Sequence, residues 1–349
     1  DHLTMKGNYH NHGNTLRALM NEDSFYAMVH KPIDIKTAMR IPDAKQALMD
    51  EWHKLDKRGF VDWSQISSGK KIKADRQRRH INTHFGQLMP ICHLKNSELE
   101  VKLQKYKGRV VFRGDITKKA DGSYAVFSDQ GTSSTHMAGT KVVDALARMP
   151  GMTGEDADAV GAYTQIKLSD ADRLLGMNEI PETWVTIPRH ILEIGQDRMP
   201  PNWRDIEDPV VPLMVNLYGH PLAGLLWEKG CEEKLVKLGF EKIPGWESIY
   251  IHPVDKLLLS VYVDDFHLAG DEQAVPLMWE KMKAVGLELE PATPFSGTTY
   301  LGCKQTDVSS NTRIQERKSK LYDKLMDNKI PTITPDQHML DIAEVDFEQ

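Results

Sequence analysis

Residues 256–270, KLLLSVYVDDFHLAG, constrain the fold more than any other stretch of the chain. Two runs rich in Leu, Val, Tyr and Phe flank Asp264-Asp265, the pattern of two strands joined by a tight turn. The first run is apolar enough to be buried, yet it ends in two adjacent acids. A buried carboxylate is costly unless it is paired or holds a cation. At a hairpin tip both backbone directions change, so both acids can face one pocket. A solvated Asp-Asp turn is the plainer alternative.

Asp158, in Asp158-Ala159-Val160-Gly161-Ala162-Tyr163, is a third acid in a strand-like setting. If 157–163 and 258–263 are neighbours, three carboxylates converge. Convergent carboxylates repel one another and stay ionised around a divalent metal. Hard oxygen donors select Mg²⁺ or Mn²⁺ over Zn²⁺. Two such ions about 4 Å apart can hold the attacking and leaving oxygens of a phosphoryl transfer.

The rest of the chain reads as interleaved helices and strands, and an α+β fold is expected rather than a doubly wound sheet. Helices are expected at 43–57, 140–149, 221–238, 272–285 and 316–328. Pro42-Asp43 opens the first, and Gly239 follows the third. Strands are expected around 109–112, 156–168, 183–188, 249–253 and 298–305. Residues 1–40 read as a polar linker or arm, and 68–86 as a basic stretch without clear period. The chain has 349 residues, which at about 150 per domain suggests two domains or lobes.

Composition excludes several classes. Apolar residues are 40% and charged residues 27%, which rules out collagen-like, fibrous and fully disordered chains. No run of 18 apolar residues exists, so no membrane span is expected. The first residues carry no apolar signal core, and the absent initial Met suits a piece of something longer. Cys92, Cys231 and Cys303 are widely spaced, without a CxxC, which points to a reducing compartment. An intracellular setting, cytoplasmic or nuclear, is expected. Net charge is −6, but residues 70–119 hold 14 Lys and Arg against 4 Asp and Glu. That local excess of positive charge suits a polyanion, and a solvated basic surface is its plainer alternative.

Tyr262-Val263-Asp264-Asp265 matches the YxDD box of reverse transcriptases, and the surrounding order resembles the copia-type retrotransposon reverse transcriptases. KYKGRVVFRGD (105–115) looks like that family's fingers segment, DAVGAYTQIKL (158–168) like its first-Asp motif, and ETWVTIP (182–188) follows. LYGHPLAGLLW (217–227) resembles its LYG…W helix, KLGF (237–240) that helix's end, and TTYLGCKQ (298–305) its primer-grip hairpin. AKQALMDEWHKLDKRG (44–59) looks like the opening helix. The resemblance covers about residues 43–330. It implies a right-hand polymerase: an arm at 1–42, fingers at 43–150, a palm with an antiparallel sheet at 151–305, and the thumb start at 306–349.

The same resemblance implies roles. Asp158 and Asp264 would be the main ligands of two Mg²⁺ or Mn²⁺ ions, with Asp265 secondary. Tyr163 would lie beneath the incoming sugar, and Arg109, Arg113 and Lys107 near the triphosphate. Gly219 would let the backbone approach the nascent base pair. Leu301, Gly302 and Cys303 would hold the primer end. Lys70, Lys71, Lys73, Arg76, Arg78 and Arg79 would track nucleic acid. The partners would be an RNA or DNA template-primer and dNTPs, with no membrane and an unassigned oligomeric state.

The chain departs from the family at Leu222, where Gln is usual, at Gly224-Leu225 instead of Pro-Arg, and at Gly161. A nucleic-acid-binding remnant without chemistry is therefore the alternative, and a palm-type nucleotide cyclase a third reading. His80, His84, Cys92 and His93 match no zinc-finger spacing. His10 and His12 read as surface. Six tryptophans (Trp52, Trp63, Trp184, Trp203, Trp227 and Trp246) read as packing rather than base-stacking platforms. No GxxxxGK[ST] exists, and Cys303 has no His beside it in sequence to activate a thiol.

Overall fold

The computed structural model describes residues 30–126, 135, 137–176, 180–301 and 303–305. The strands in chain order are β1 (Lys31–Ile33), β2 (Ser67–Ser68), β3 (Thr83–Lys95), β4 (Lys105–Phe112), β5 (Lys118–Lys119), β6 (Met152–Asp158), β7 (Glu182–Thr186), β8 (Pro209–Pro212), β9 (Glu241–Lys242), β10 (Ile249–His252), β11 (Leu257–Tyr262), β12 (Asp265–Asp271), β13 (Thr293–Pro294), β14 (Thr299–Tyr300) and β15 (Cys303–Lys304). The longer helices are Pro42–Lys57, Gly69–Arg78, Met137–Ala147, Ala223–Lys237 and Ala274–Ala284. The fold is mixed α and β. Among the described residues the strand pairings are antiparallel except for β3 with β7, in keeping with an α+β rather than a doubly wound arrangement.

Contacts divide the chain into two compact units that interleave in sequence. The first is residues 1–132 with 161–232, and the second is 133–160 with 233–349. Compactness thus cuts the chain elsewhere than at the boundaries expected for fingers (43–150) and palm (151–305).

In the first unit a seven-stranded sheet runs β1-β3-β7-β8-β2, with β4 and β5 also pairing β3. Trp52, Phe60, Trp63, Leu88, Phe112 and Leu217 lie in one buried cluster. Ala44, Leu48, Trp52 and Leu55 give the helix Pro42–Lys57 its buried face, at the spacing expected of one helical stripe. Two expectations change here. Residues 31–33 of the expected arm pair with β3, with Ile33 opposite Cys92. The basic stretch 68–86 forms the helix Gly69–Arg78 and then enters β3.

In the second unit a six-stranded sheet runs β13-β6-β12-β11-β10-β9. The expected hairpin forms: β11 and β12 pair from Leu257↔Gly270 to Tyr262↔Asp265. Leu259, Val261, Phe266 and Leu268 are buried, which is why so apolar a hairpin sits inside a sheet. The strand expected at 156–168 ends earlier, at Asp158. Gly161 follows in the left-handed region, at φ +60°, and a 3-10 turn replaces the expected extension. The segment 298–305 is a small hairpin of β14 and β15 rather than one strand. The expected helix 316–328 and thumb start 306–349 lie outside the described residues. No helix among the described residues is long and apolar enough to cross a membrane.

Candidate functional site

The second unit brings the three acids to one end of its sheet. β12 lies between β6 and β11, and its register sets Asp265 opposite Asp158 and Tyr262. Val263 and Asp264 make the two-residue turn, and the Ala159 N–H donates to the Asp264 carbonyl (2.6 Å). Asp158 is exposed, while Asp264 and Asp265 are half-buried. Burial first, then the charges of Asp264, Asp158 and Asp156, push the Asp265 carboxyl up to about 6. Mutual repulsion of this kind is what a cation would relieve.

Val263 sits at φ +54°, a region that β-branched residues rarely enter. Such backbone strain is retained where surrounding structure enforces it, and it gathers at functional sites. The sequence gives no sign of this strain.

The donor set suits a hard divalent ion in kind: carboxylate oxygens carrying excess negative charge. In placement it falls short. Among the described residues, no group of three or more His, Cys, Asp or Glu side chains could hold a metal ion.

Behind the acids the sequence missed a buried ion cluster. His267 is 0% exposed and lies opposite Asp156 in the β6–β12 register. Its Nδ1 pairs with Asp156 Oδ1 (2.5 Å), and its Nε2 lies 3.3 Å from Asp144 Oδ1. Burial alone would lower the imidazole's pKa, but the Asp156 hydrogen bond and the charges of Asp144 and Asp156 hold it above the ordinary value. Reading the Asp158 motif alone could not find this cluster. Alternation from Asp158 back to Asp156, and from Asp265 on to His267, was the signal available.

The first unit holds the other expected residues. Arg109 and Lys107 project from the same face of β4, since they stand two residues apart. The Arg109 guanidinium lies 5.1 Å from the Tyr218 ring centroid, and Tyr218 meets Tyr163 edge-on at 4.4 Å. Burial, then the charges of Arg109 and Lys95, push the Lys107 amine down to about 8. Arg113 is tied to Asp115 (2.8 Å). Both line an open depression of about 720 Å³ with Met89, Phe112, Gly219 and Pro221. Gly219 is at φ +82°, and a Cβ there would lie 2.1 Å from the Phe112 carbonyl. Its small size serves the approach of β4 to the 218–219 backbone, where the Phe112 N–H donates to the Tyr218 carbonyl (2.7 Å).

The basic helix divides into two kinds of residue. Lys70 and Lys71 are exposed, and Lys73 lies over the Phe85 ring. Arg78 and Arg79 are exposed but lean on Asp75 (2.7 and 3.5 Å). Arg76 is different: its side chain is 14% exposed, bridges Asp75 and Glu182, and covers Trp184. It staples this helix to β7. Leu301 turns between β14 and β15 at φ +47°, Cys303 lies in β15, and Gly302 lies outside the described residues. Trp52, Trp63, Trp184, Trp203 and Trp227 are buried, as packing residues should be.

No family model matches the chain, and no curated protein matches it in sequence. Two of the solved structures that are similar at a low level are telomerases. One is telomerase from Candida albicans in complex with a TWJ fragment of telomeric RNA, at 9% identity and a TM-score of 0.36, covering 73% of this chain and 46% of that one. The other is apo telomerase from Candida tropicalis truncated from its C-terminal domain, at 11% identity and a TM-score of 0.34, covering 66% and 57%. The chain thus spans about half the length of either. Superposition this loose fixes no family.

Proposed function

We propose that the chain is the RNA-directed DNA polymerase domain of a copia-type retrotransposon, with a right-hand polymerase fold. One observation carries this reading: Asp158 faces Asp265 across paired strands, with Asp264 in the adjoining turn. Two separated motifs, which the sequence could join only by supposing their strands to be neighbours, meet at one sheet end.

In this reading Asp158, Asp264 and Asp265 would be the ligands of Mg²⁺ or Mn²⁺, which requires their side chains to turn together from where they stand. Such ions, when bound, supply the charge that makes a primer 3′-hydroxyl acidic and neutralises departing pyrophosphate. The chain's own groups bind and orient. Arg109 and Lys107 offer adjacent cations to a triphosphate, and Lys107, pushed down to about 8, gains full charge beside an anion. Tyr163, braced by Tyr218, offers a ring face to a deoxyribose. Lys70, Lys71, Arg78 and Arg79 present positive charge to a template backbone. Leu301, Gly302 and Cys303 would contact the primer. An intracellular setting fits these partners.

A second reading, a nucleic-acid-binding remnant, is favoured by one observation: the carboxylate side chains do not form a three-ligand group. Buried Leu222, standing where the family shows Gln, points the same way. The test is to incubate the full chain with primed RNA, dNTPs and Mn²⁺ or Mg²⁺, and separately with ATP or GTP. Primer extension is expected. Template binding without extension would establish the remnant instead, and a cyclic nucleotide product would establish a cyclase.

A further inference from the structure

From the geometry behind the acids we infer that His267 is a positioning residue: its pairing with Asp156 locks the register of β12 on β6, and so holds Asp265 opposite Asp158. The inference rests on the proposed function only for what the carboxylates do. Alternate residues of a strand face one side, so the Asp265↔Asp158 pair is followed on the same face by His267↔Asp156.

The His267 ring is held from every side. Nδ1 pairs with Asp156, whose second oxygen accepts the Thr298 hydroxyl (2.8 Å). Nε2 is buried within ion-pair reach of Asp144 (3.3 Å) but makes no aligned hydrogen bond. One ring face stacks on Phe295 (centroids 3.8 Å, planes 9° apart) and the other on Tyr300 (4.2 Å, 19°). The Tyr300 hydroxyl in turn meets Ser260 (3.2 Å), which meets Thr140 (3.3 Å). One imidazole therefore ties together β6, β12, the helix Met137–Ala147 and the segment 295–300.

An apolar side chain would fill this space at less cost, because buried ion pairs seldom stabilise more than good apolar packing. What they add is a penalty for misalignment. A one-residue slip of β12 would send Asp265 to the opposite face. The same slip would strip His267 from Asp156 and leave both buried side chains without their hydrogen bond. Apolar neighbours such as Phe266 and Leu268 resist a slip only through shape. The His267–Asp156 hydrogen bond resists it because a slip would leave two buried polar groups without partners, one pleat behind the acids whose alignment matters.

The test uses the full chain and three variants: His267→Phe, which keeps the ring and loses both pairs, His267→Phe with Asp156→Asn, and Asp144→Asn. Thermal unfolding, Mn²⁺ affinity, and the kcat and KM of primer extension are measured on each. For His267→Phe, Mn²⁺ affinity and kcat should each fall at least tenfold, with the dNTP KM within threefold of wild type. The double variant should recover thermal stability, since Asp156 no longer carries an uncompensated charge and Asp144 keeps Arg148 (3.5 Å), without recovering Mn²⁺ affinity. Recovery of both would show a purely structural group and overturn the inference. If His267→Phe does not fold, the double variant alone decides, by the same criterion. Asp144→Asn should have the smaller effect, and an effect larger than that of the double variant would move the lock to Asp144. Wild-type extension with unchanged Mn²⁺ affinity in the variants would sink the lock and keep the polymerase. Weakened Mn²⁺ binding in the variants, with a wild type that extends no primer, would do the reverse, and a wild type that binds no Mn²⁺ would sink the lock outright.

Discussion

Val263 stands at φ +54° between Tyr262 and Asp264, and the strain it stores belongs to the turn that presents the acids. Val263→Gly should raise stability by about 1 kcal/mol through relief of that strain, and should lower kcat because the turn loses its enforced shape. Paired melting and turnover measurements check this, and higher stability with unchanged kcat would detach the strain from function. Tyr163 packs edge-on against Tyr218 and is half-buried. Tyr163→Ala should raise ribonucleotide use relative to deoxynucleotide at least about tenfold, roughly 1.4 kcal/mol of lost discrimination. The ratio of kcat/KM for the two sugars measures it, and an unaltered ratio with lower stability would make Tyr163 a packing residue. At this scale the acids were legible because carboxylates interrupting apolar strands are conspicuous. His267 was not, because its partners Asp144 and Asp156 are 123 and 111 positions away, and its stacking partners Phe295 and Tyr300 arrive from a third segment.

Among elements, the hairpin β11–β12 and the helix Pro42–Lys57 were readable because each keeps one period and one buried face. β3 was not. Along its length it pairs β7 and β5 at one end and β4 and β1 at the other, so the face that is covered changes and no single alternation survives. The helix Gly69–Arg78 hid for another reason: six of its ten residues are charged and Gly69 alone is buried. Ion pairs among Asp75, Arg76, Arg78, Arg79 and Glu182 stand in for an apolar stripe. The helix therefore makes two different predictions. Replacing Lys70, Lys71, Arg78 and Arg79 together by Ala should flatten the slope of log K against log salt for template binding, because each phosphate contact releases counterions. Arg76→Ala should instead lower the melting temperature while leaving that slope nearly unchanged. A flat response to the quadruple change would return this helix to plain solvated surface.

For the whole molecule, the hard feature was that each compact unit is built from separated stretches of chain. Local pattern yields contiguous blocks, whereas packing here joins 1–132 to 161–232. The first unit also carries a pH response that no motif announced. Burial, then the Lys119 charge, pushes His84 down to about 4, and burial, then His84, does the same to His220. Both folded values lie below the unfolded value of 6.5, so the unfolded chain binds more protons in between. Stability is therefore full above pH 6.5 and falls as pH drops toward 4, by on the order of 3 kcal/mol per histidine. Asp265 in the second unit acts in the opposite sense, since its value is raised to about 6, so the probe must be local. Hydrogen exchange at β3 amides should accelerate across this window, and His220→Gln should lessen the acceleration. An even exchange rate between pH 6.5 and 4, after correction for intrinsic chemistry, would contradict the burial account. Whether the acids meeting at the end of β6 and β12 perform the proposed nucleotidyl transfer is read from single-turnover incorporation of one dNTP on a primed RNA template. Wild type should incorporate the nucleotide, and Asp158→Asn and Asp264→Asn should each lose more than about 90% of the rate with template binding intact, about 1.4 kcal/mol or more of barrier. Wild-type-like incorporation by either variant would contradict it.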